Sequence, residues 1–203
     1  FIDLAMASMG KRRGSAAKTS IVGSAMFGSI SGSAVSNVVT TGVMTIPLMK
    51  RSGYSGVQAG AVEAIASTGG QLMPPIMGAS AFLMAQTLEI PYSEVVVASL
   101  LPALLYYISV FIQVDLIAAR DNITTSDVEV KSVKDVLAEG WHFILPFVVL
   151  LYAMFAHNSS AELAALYGSI TVIVLGSLRS YQGHKLSVRS LVSSFPETGY
   201  TVM

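Results

Sequence analysis

Two stretches of this chain place oxygen and N–H groups where a continuous apolar helix would hide them. The first, Ser29 to Gly42, reads S-I-S-G-S-A-V-S-N-V-V-T-T-G; the second, Ser67 to Ile76, reads S-T-G-G-Q-L-M-P-P-I. A helix that stops leaves carbonyls with partial negative charge at its C-terminal end, and the next helix opens on N–H groups with partial positive charge. Carbonyls near residues 28–31 and 66–70 suit a hard cation such as sodium, and the side-chain oxygens of Ser31, Ser33, Asn37, Ser67 and Thr68 can complete its shell. The expected sodium ligands are therefore Ser29, Ser31, Gly32, Asn37, Ser67, Gly69 and Gly70. The N–H groups opening the second halves, near residues 33–35 and 75–78, suit a carboxylate, with Ser33, Ala34, Thr68 and Pro75 as the expected substrate contacts. Gly32, Gly69 and Gly70 allow backbone angles and close approach that other residues resist.

The blander account is that glycine and serine simply let helices pack closely. Two successive breaks, one containing Pro-Pro, favour an ion and substrate site instead. Glu63 lies in the half-helix before the second break. It is either a coupling residue at membrane depth or a polar contact nearer the interface, about two turns from Tyr54; both readings stand. Asp115, about one turn before Arg120, is expected to form an interfacial ion pair with it. Gln71 could line the cavity or cap the broken backbone.

Enzyme chemistry finds little support. His142, His157 and His184 are scattered, and no H-E-x-x-H, paired-carboxylate or Ser-His-Asp arrangement is apparent. G-S-I-S-G around Ser31 imitates a nucleophile elbow, but that motif needs a strand before it and an α/β sheet around it. Cysteine is absent, which removes disulfides and thiolate sites and leaves the redox compartment open.

The elements that must carry these residues are apolar helices. Hydrophobic residues make up 53% of the chain and charged residues 12%, with a mean hydropathy of +0.64. Soluble domains carry about 25% charged residues, so a bilayer is the better environment. The expected fold is all-α, a polytopic membrane protein with a re-entrant helical hairpin and a broken transmembrane helix. Residues 1–9 end a helix, about 15–49 form the hairpin with Pro47 marking its exit, and about 55–88 form the broken helix, its second half starting at Ile76. Residues 95–119 form a full span. Residues 121–140 read as a cytoplasmic loop with a short amphipathic element. Two further spans at 141–156 and 161–178 precede a polar segment from Arg179, with Leu186 to Met203 a possible further element and Trp141 an interfacial anchor. Residues 1–120 would be half of a transport domain.

Charge placement agrees with this topology. With both hairpin ends inside, all twelve basic residues fall on the inner side, from the Lys11-Arg12-Arg13 cluster and Lys50-Arg51 through Lys131 to Lys185 and Arg189, as cytoplasmic loops require. The start at Phe1 and the polar stretch before Met203 suggest an internal fragment of a longer membrane protein. The zero net charge points to no nucleic-acid partner.

The stretch F-G-S-I-S-G-S-A-V-S-N-V-V-T-T-G-V-M-T-I-P-L-M-K-R-S-G-Y, followed by G-A-V-E-A-I-A-S-T-G-G-Q-L-M-P-P-I-M-G-A-S-A-F-L-M-A, resembles the large permease subunit of TRAP transporters. It is most similar to the fused permeases that work with TAXI-type binding proteins. The similarity runs from about Ala16 to Arg120 and more weakly beyond. It implies an elevator-type fold of the ion-transporter superfamily in the bacterial inner membrane. The implied function is sodium-coupled import of an organic acid, such as a C4-dicarboxylate, delivered by a periplasmic TAXI-type binding protein. Small-subunit helices, fused or separate, would accompany it, with sodium as coupling ion and no other cofactor. In the family the hairpin tip and the following break form the sites, matching Ser31, Gly32, Ser33 and Asn37, and Ser67, Thr68, Gly69 and Gly70. The family's second hairpin has no clear match before Met203. The competing readings are a proton-coupled carrier using Glu63 and a non-transporting scaffold subunit.

Overall fold

The computed structural model describes residues 1–10, 12–123, 132–157 and 160–178. Lys11, residues 124–131 of the expected cytoplasmic loop, Asn158, Ser159 and everything from Arg179 onward, including the expected element at 186–203, lie outside the described residues. Among the described residues every regular element is helical.

The chain divides into two compact units, Phe1–Leu137 and Ala138–Met203. The first holds α1 (Ile2–Met9), α2 (Ser15–Ser31), α3 (Ala34–Arg51), α4 (Gly56–Thr68), α5 (Ala79–Leu88) and α6 (Tyr92–Arg120). A short helix, α7 (Val133–Gly140), runs across the boundary. The second unit holds α8 (Leu145–Ala156) packed on α9 (Ala161–Leu178).

Helices α2 and α3 form a hairpin closed by only two residues. Gly32 takes a left-handed conformation (φ 60°) and its N–H returns to the Gly28 carbonyl at 2.9 Å, a helix ending that glycine adopts without Cβ penalty. Ser33 then starts α3 as its N-cap, accepting from the Ser36 N–H at 3.3 Å. Within the stretch from Ser29 to Gly42 the interruption is thus confined to Gly32 and Ser33, because one left-handed glycine suffices to reverse the chain. Pro47 lies inside α3, which continues to Arg51. A proline removes one N–H and does not by itself end a helix that packing holds on both sides.

Ser55 and Gln58 open α4 with a reciprocal capping box. After Thr68 the backbone tightens into a 3-10 turn over Gly69–Gln71, then loses helical form until Ala79. The second half thus starts three residues later than Ile76, because Pro74-Pro75 (a cis bond) and the left-handed Met77 fill the interval. Small residues let these helices close on one another: Ala16, Ala17, Ala59 and Ala66 are at most 1% exposed.

Among the described residues α6 alone is long and apolar enough to cross a membrane; α5, α8 and Leu163–Ser177 are shorter apolar helices. At 1.5 Å per residue its 29 residues reach about 43 Å, beyond the hydrocarbon thickness of about 30 Å. One face, Ala103, Tyr107, Val110, Val114 and Ala118, is buried against the first unit, while Leu101, Leu105, Ile108 and Leu116 on the others stay exposed. Asp115 pairs with Arg13 and, at 2.6 Å, with Lys18. Arg120 instead pairs with its neighbour Asp121 at 2.8 Å. The expected Asp115–Arg120 pair is absent since a separation of five turns the two side chains to different faces of the helix.

Candidate functional site

The tip of the hairpin and the break after α4 meet. The Ile76 N–H donates to the Ser29 carbonyl at 3.2 Å. Gly28 and Gly70 touch backbone to backbone: a Cβ built on Gly28 would lie 2.3 Å from the Gly70 Cα. At Gly32 a Cβ would lie 1.9 Å from the Met77 carbonyl oxygen. These positions need glycine for contact as much as for conformation.

Asn37 joins the two halves. It is fully buried, and its Nδ2 donates to the Ser24 carbonyl at 2.9 Å and the Ser67 carbonyl at 3.4 Å. Its Oδ1 accepts from Thr41 at 3.3 Å. The last carbonyls of α4 are met from α6: the Tyr106 hydroxyl donates to Ile65 at 2.7 Å, and the Tyr107 hydroxyl to Ala66 at 3.1 Å. Gly69 lies directly against both rings. Tyr106 is the middle residue of α6, so the break sits at the depth of that helix's midpoint.

The remaining expected ligands are spread around this junction. Ser29 donates from its side chain to Met26 within α2 (2.8 Å), and Ser31 accepts from the Ser33 N–H (3.4 Å). Ala34 is the first residue of α3. The Thr68 hydroxyl turns back to the Ala64 carbonyl at 2.7 Å, on an exposed side chain. Pro75 presents its carbonyl to the Tyr92 hydroxyl at 3.1 Å. Ser67 is buried, with its hydroxyl 3.1 Å from Glu63 Oε1.

Glu63 is the least exposed charged group of the region, at 0%. Its Oε2 accepts from Ser20 (2.7 Å) and from Thr45. Its Oε1 accepts from Thr41 (2.5 Å), Ser67 (3.1 Å) and Ser24 (3.5 Å). Hydrogen bonds to a charged group each contribute about 1.5–3 kcal/mol, on the scale of the several kcal/mol that burying a carboxylate costs. Sequence reasoning missed Ser20, Ser24, Thr41 and Thr45. Their signal was present: Ser20-Ser24, Asn37-Thr41-Thr45 and Glu63-Ser67 each step by four residues, which stacks them on one helix face. Among the described residues no group of three or more His, Asp or Glu could hold a metal. The donors on offer to a cation here are carbonyl, hydroxyl and amide oxygens and the single carboxyl group of Glu63.

The model of one protein family, "Tripartite ATP-independent periplasmic transporter, DctM component", matches residues 1–203. The chain belongs to this family. DctM components are integral membrane permeases of a transporter family rather than enzymes, and work in general with a periplasmic binding protein and a small membrane subunit. The chain is also similar to uncharacterized protein y4mL of Sinorhizobium fredii, 27% identical over 175 residues, which is 81% of this chain and 40% of that protein. Uncharacterized protein YgiK of Salmonella typhimurium is 35% identical over 74 residues, 36% of this chain and 17% of that protein. The chain thus spans well under half the length of these curated relatives.

Proposed function

We propose that this DctM-family chain contributes one half-site of a sodium-coupled importer of an organic carboxylate, within a larger permease of the inner membrane. The observation that carries the reading is the meeting of the hairpin tip with the helix break beside the midpoint of α6 (Gly69 against Tyr106 and Tyr107). If α6 spans, that junction lies near the bilayer centre, where irregular backbone is tolerated only inside protein or along a polar cavity. In this reading α2 and α3 are a re-entrant hairpin and residues 1–120 move as part of an elevator-type domain. Sodium is held around Ser29, Ser31, Gly32, Asn37, Ser67, Gly69 and Gly70. Many carbonyls here already accept one hydrogen bond, and each keeps a second lone pair for an ion. The substrate carboxylate lies toward Ser33, Ala34, Thr68 and Pro75, near the openings of α3 and α5. A TAXI-type binding protein delivers it.

The test is uptake of labelled organic acids into proteoliposomes holding the intact permease and its binding protein. Sodium-dependent uptake that needs the binding protein is the expected result. The burial of Glu63 supports a second reading, proton coupling. Uptake driven by a pH gradient alone, and lost in Glu63→Gln, would select it over sodium.

A further inference from the structure

Glu63 is a buried carboxyl group, and among the described residues no ion pair reaches it. The charges on the helices around it are turned elsewhere. Lys18 of α2 is engaged with Asp115 of α6, Lys50 and Arg51 sit exposed at the far end of α3, and α4 holds no other charge. What faces Glu63 is hydroxyl oxygen from three helices.

On its Oε1 side the Thr41 hydroxyl is tightly bonded at 2.5 Å, whereas the oxygens of Ser24 and Ser67 stand further apart than hydroxyl hydrogen bonds prefer. Ser24 Oγ lies 3.3 Å from Thr41 Oγ1, 3.5 Å from Ser67 Oγ and 3.5 Å from Glu63 Oε1, and Ser67 Oγ lies 3.1 Å from Oε1. O–H···O bonds centre at about 2.7–2.8 Å. A hard cation of calcium-like radius, which sodium has, holds oxygens at about 2.4 Å and so sets neighbouring octahedral ligands about 3.4 Å apart. The donor charge, one carboxylate among neutral hydroxyls, matches a monovalent ion.

We propose that Glu63 Oε1, Ser24, Thr41 and Ser67 form a second buried sodium site, with Glu63 about 9 Å along α4 from Gly69 at 1.5 Å per residue; Ser67 serves it through its hydroxyl and the tip through its carbonyl. Thr41 is the ligand that must give way, since its hydroxyl sits 2.5 Å from Oε1. Its hydrogen has a second acceptor ready, the Asn37 carbonyl at 2.8 Å, so turning it frees the oxygen without moving the helix. Thr45 has the same choice between Glu63 Oε2 and the Thr41 carbonyl at 2.9 Å. Gly42 makes the room: a Cβ there would lie 3.2 Å from the Glu63 Cγ.

The assignment stands apart from the transport reading, because ion binding is measurable without substrate. The experiment is equilibrium binding of radiolabelled sodium to the intact permease, choline replacing sodium as control, together with the sodium dependence of thermal unfolding. Glu63→Gln is expected to bind one sodium fewer per chain. Thr41→Val and Ser24→Ala, which keep the helices, are expected to lower sodium affinity by about tenfold, whereas Ser33→Ala at the tip leaves this ion in place. Unchanged stoichiometry in Glu63→Gln overturns the site. So does proton uptake that is lost in Glu63→Gln while its sodium binding stays intact, which would make Glu63 a proton carrier. Should Glu63→Gln fail to fold, parental sodium affinity in both hydroxyl variants overturns it equally. Loss of sodium-coupled uptake with the Glu63-dependent ion retained would remove the transport reading and leave this one standing.

Discussion

At the scale of single residues, the junction depends on atoms that glycine lacks. A Cβ on Gly70 would lie 2.8 Å from the Gly28 Cα and 2.7 Å from Asn37 Nδ2. The first neighbour is backbone and the second is an amide committed to two carbonyls, so neither yields cheaply. Overpacking of this kind costs about 1–3 kcal/mol. Gly70→Ala should therefore lower the unfolding temperature and abolish sodium-dependent uptake, by parting the tip from the break. Gly60 provides the contrast within α4, because nothing lies within 4 Å of its Cβ position. Alanine there gains up to about 1 kcal/mol of helix propensity, so Gly60→Ala should unfold no earlier than the parent and transport as well. Indistinguishable behaviour of the two variants would mean that the tip and the break do not touch.

At the scale of elements, the end of α4 is held by a different helix. Its last carbonyls have no partner within the helix, and Tyr106 and Tyr107 supply donors to two of them. Tyr107→Phe keeps the ring against Gly69 and removes only the donor to Ala66. The cost should be about 1 kcal/mol, read in thermal unfolding, with faster amide exchange confined to Gly69–Gln71. Protection unchanged there would show that the 3-10 turn stands without α6. The sequence made the start of α4 legible, because Ser55 and Gln58 cap it locally. It also marked both interruptions, since Gly-Ser and Pro-Pro act on their own backbone. Their exact extent was not legible: whether Ser29 to Ser31 stay helical depends on Gly32 turning back onto Gly28, and the start of α5 depends on how Met77 folds past Gly32. Asn37 and Ser67 stood out as polar residues at a break. Their partners Ser24 and Thr41 looked like ordinary small packing residues until three helices brought them to one carboxylate. The Asp115 pairing was beyond local reasoning, because Arg13 and Lys18 lie about a hundred residues away.

At the scale of the first unit, basic residues gather at one end, while the other carries Glu89 and Glu94. Arg13 and Lys18 reach Asp115, while Gln58 donates to Asp121 at 2.6 Å. The beginnings of α2 and α4 thus share an end with the close of α6. Lys50 and Arg51, in the last turn of α3, must return to that end because α3 runs back along α2. Glu89, in the turn before α6, lies where that helix begins. If basic residues mark the cytoplasmic side, the hairpin enters and leaves from inside and Glu89 faces out. The chain contains no cysteine, so single reporters can be introduced against a clean background in this region. With Arg12→Cys, Arg51→Cys and Glu89→Cys, all exposed positions, a membrane-impermeant thiol reagent should label the first two only in inverted vesicles and the third only in intact cells. Labelling of the Arg12 and Arg51 positions from opposite sides would make α2 and α3 a through-crossing pair and remove the re-entrant hairpin. Labelling of the Arg51 and Glu89 positions from one side would mean that α4 and α5 together do not cross, and the break at Gly69 would then lose its place at mid-membrane depth.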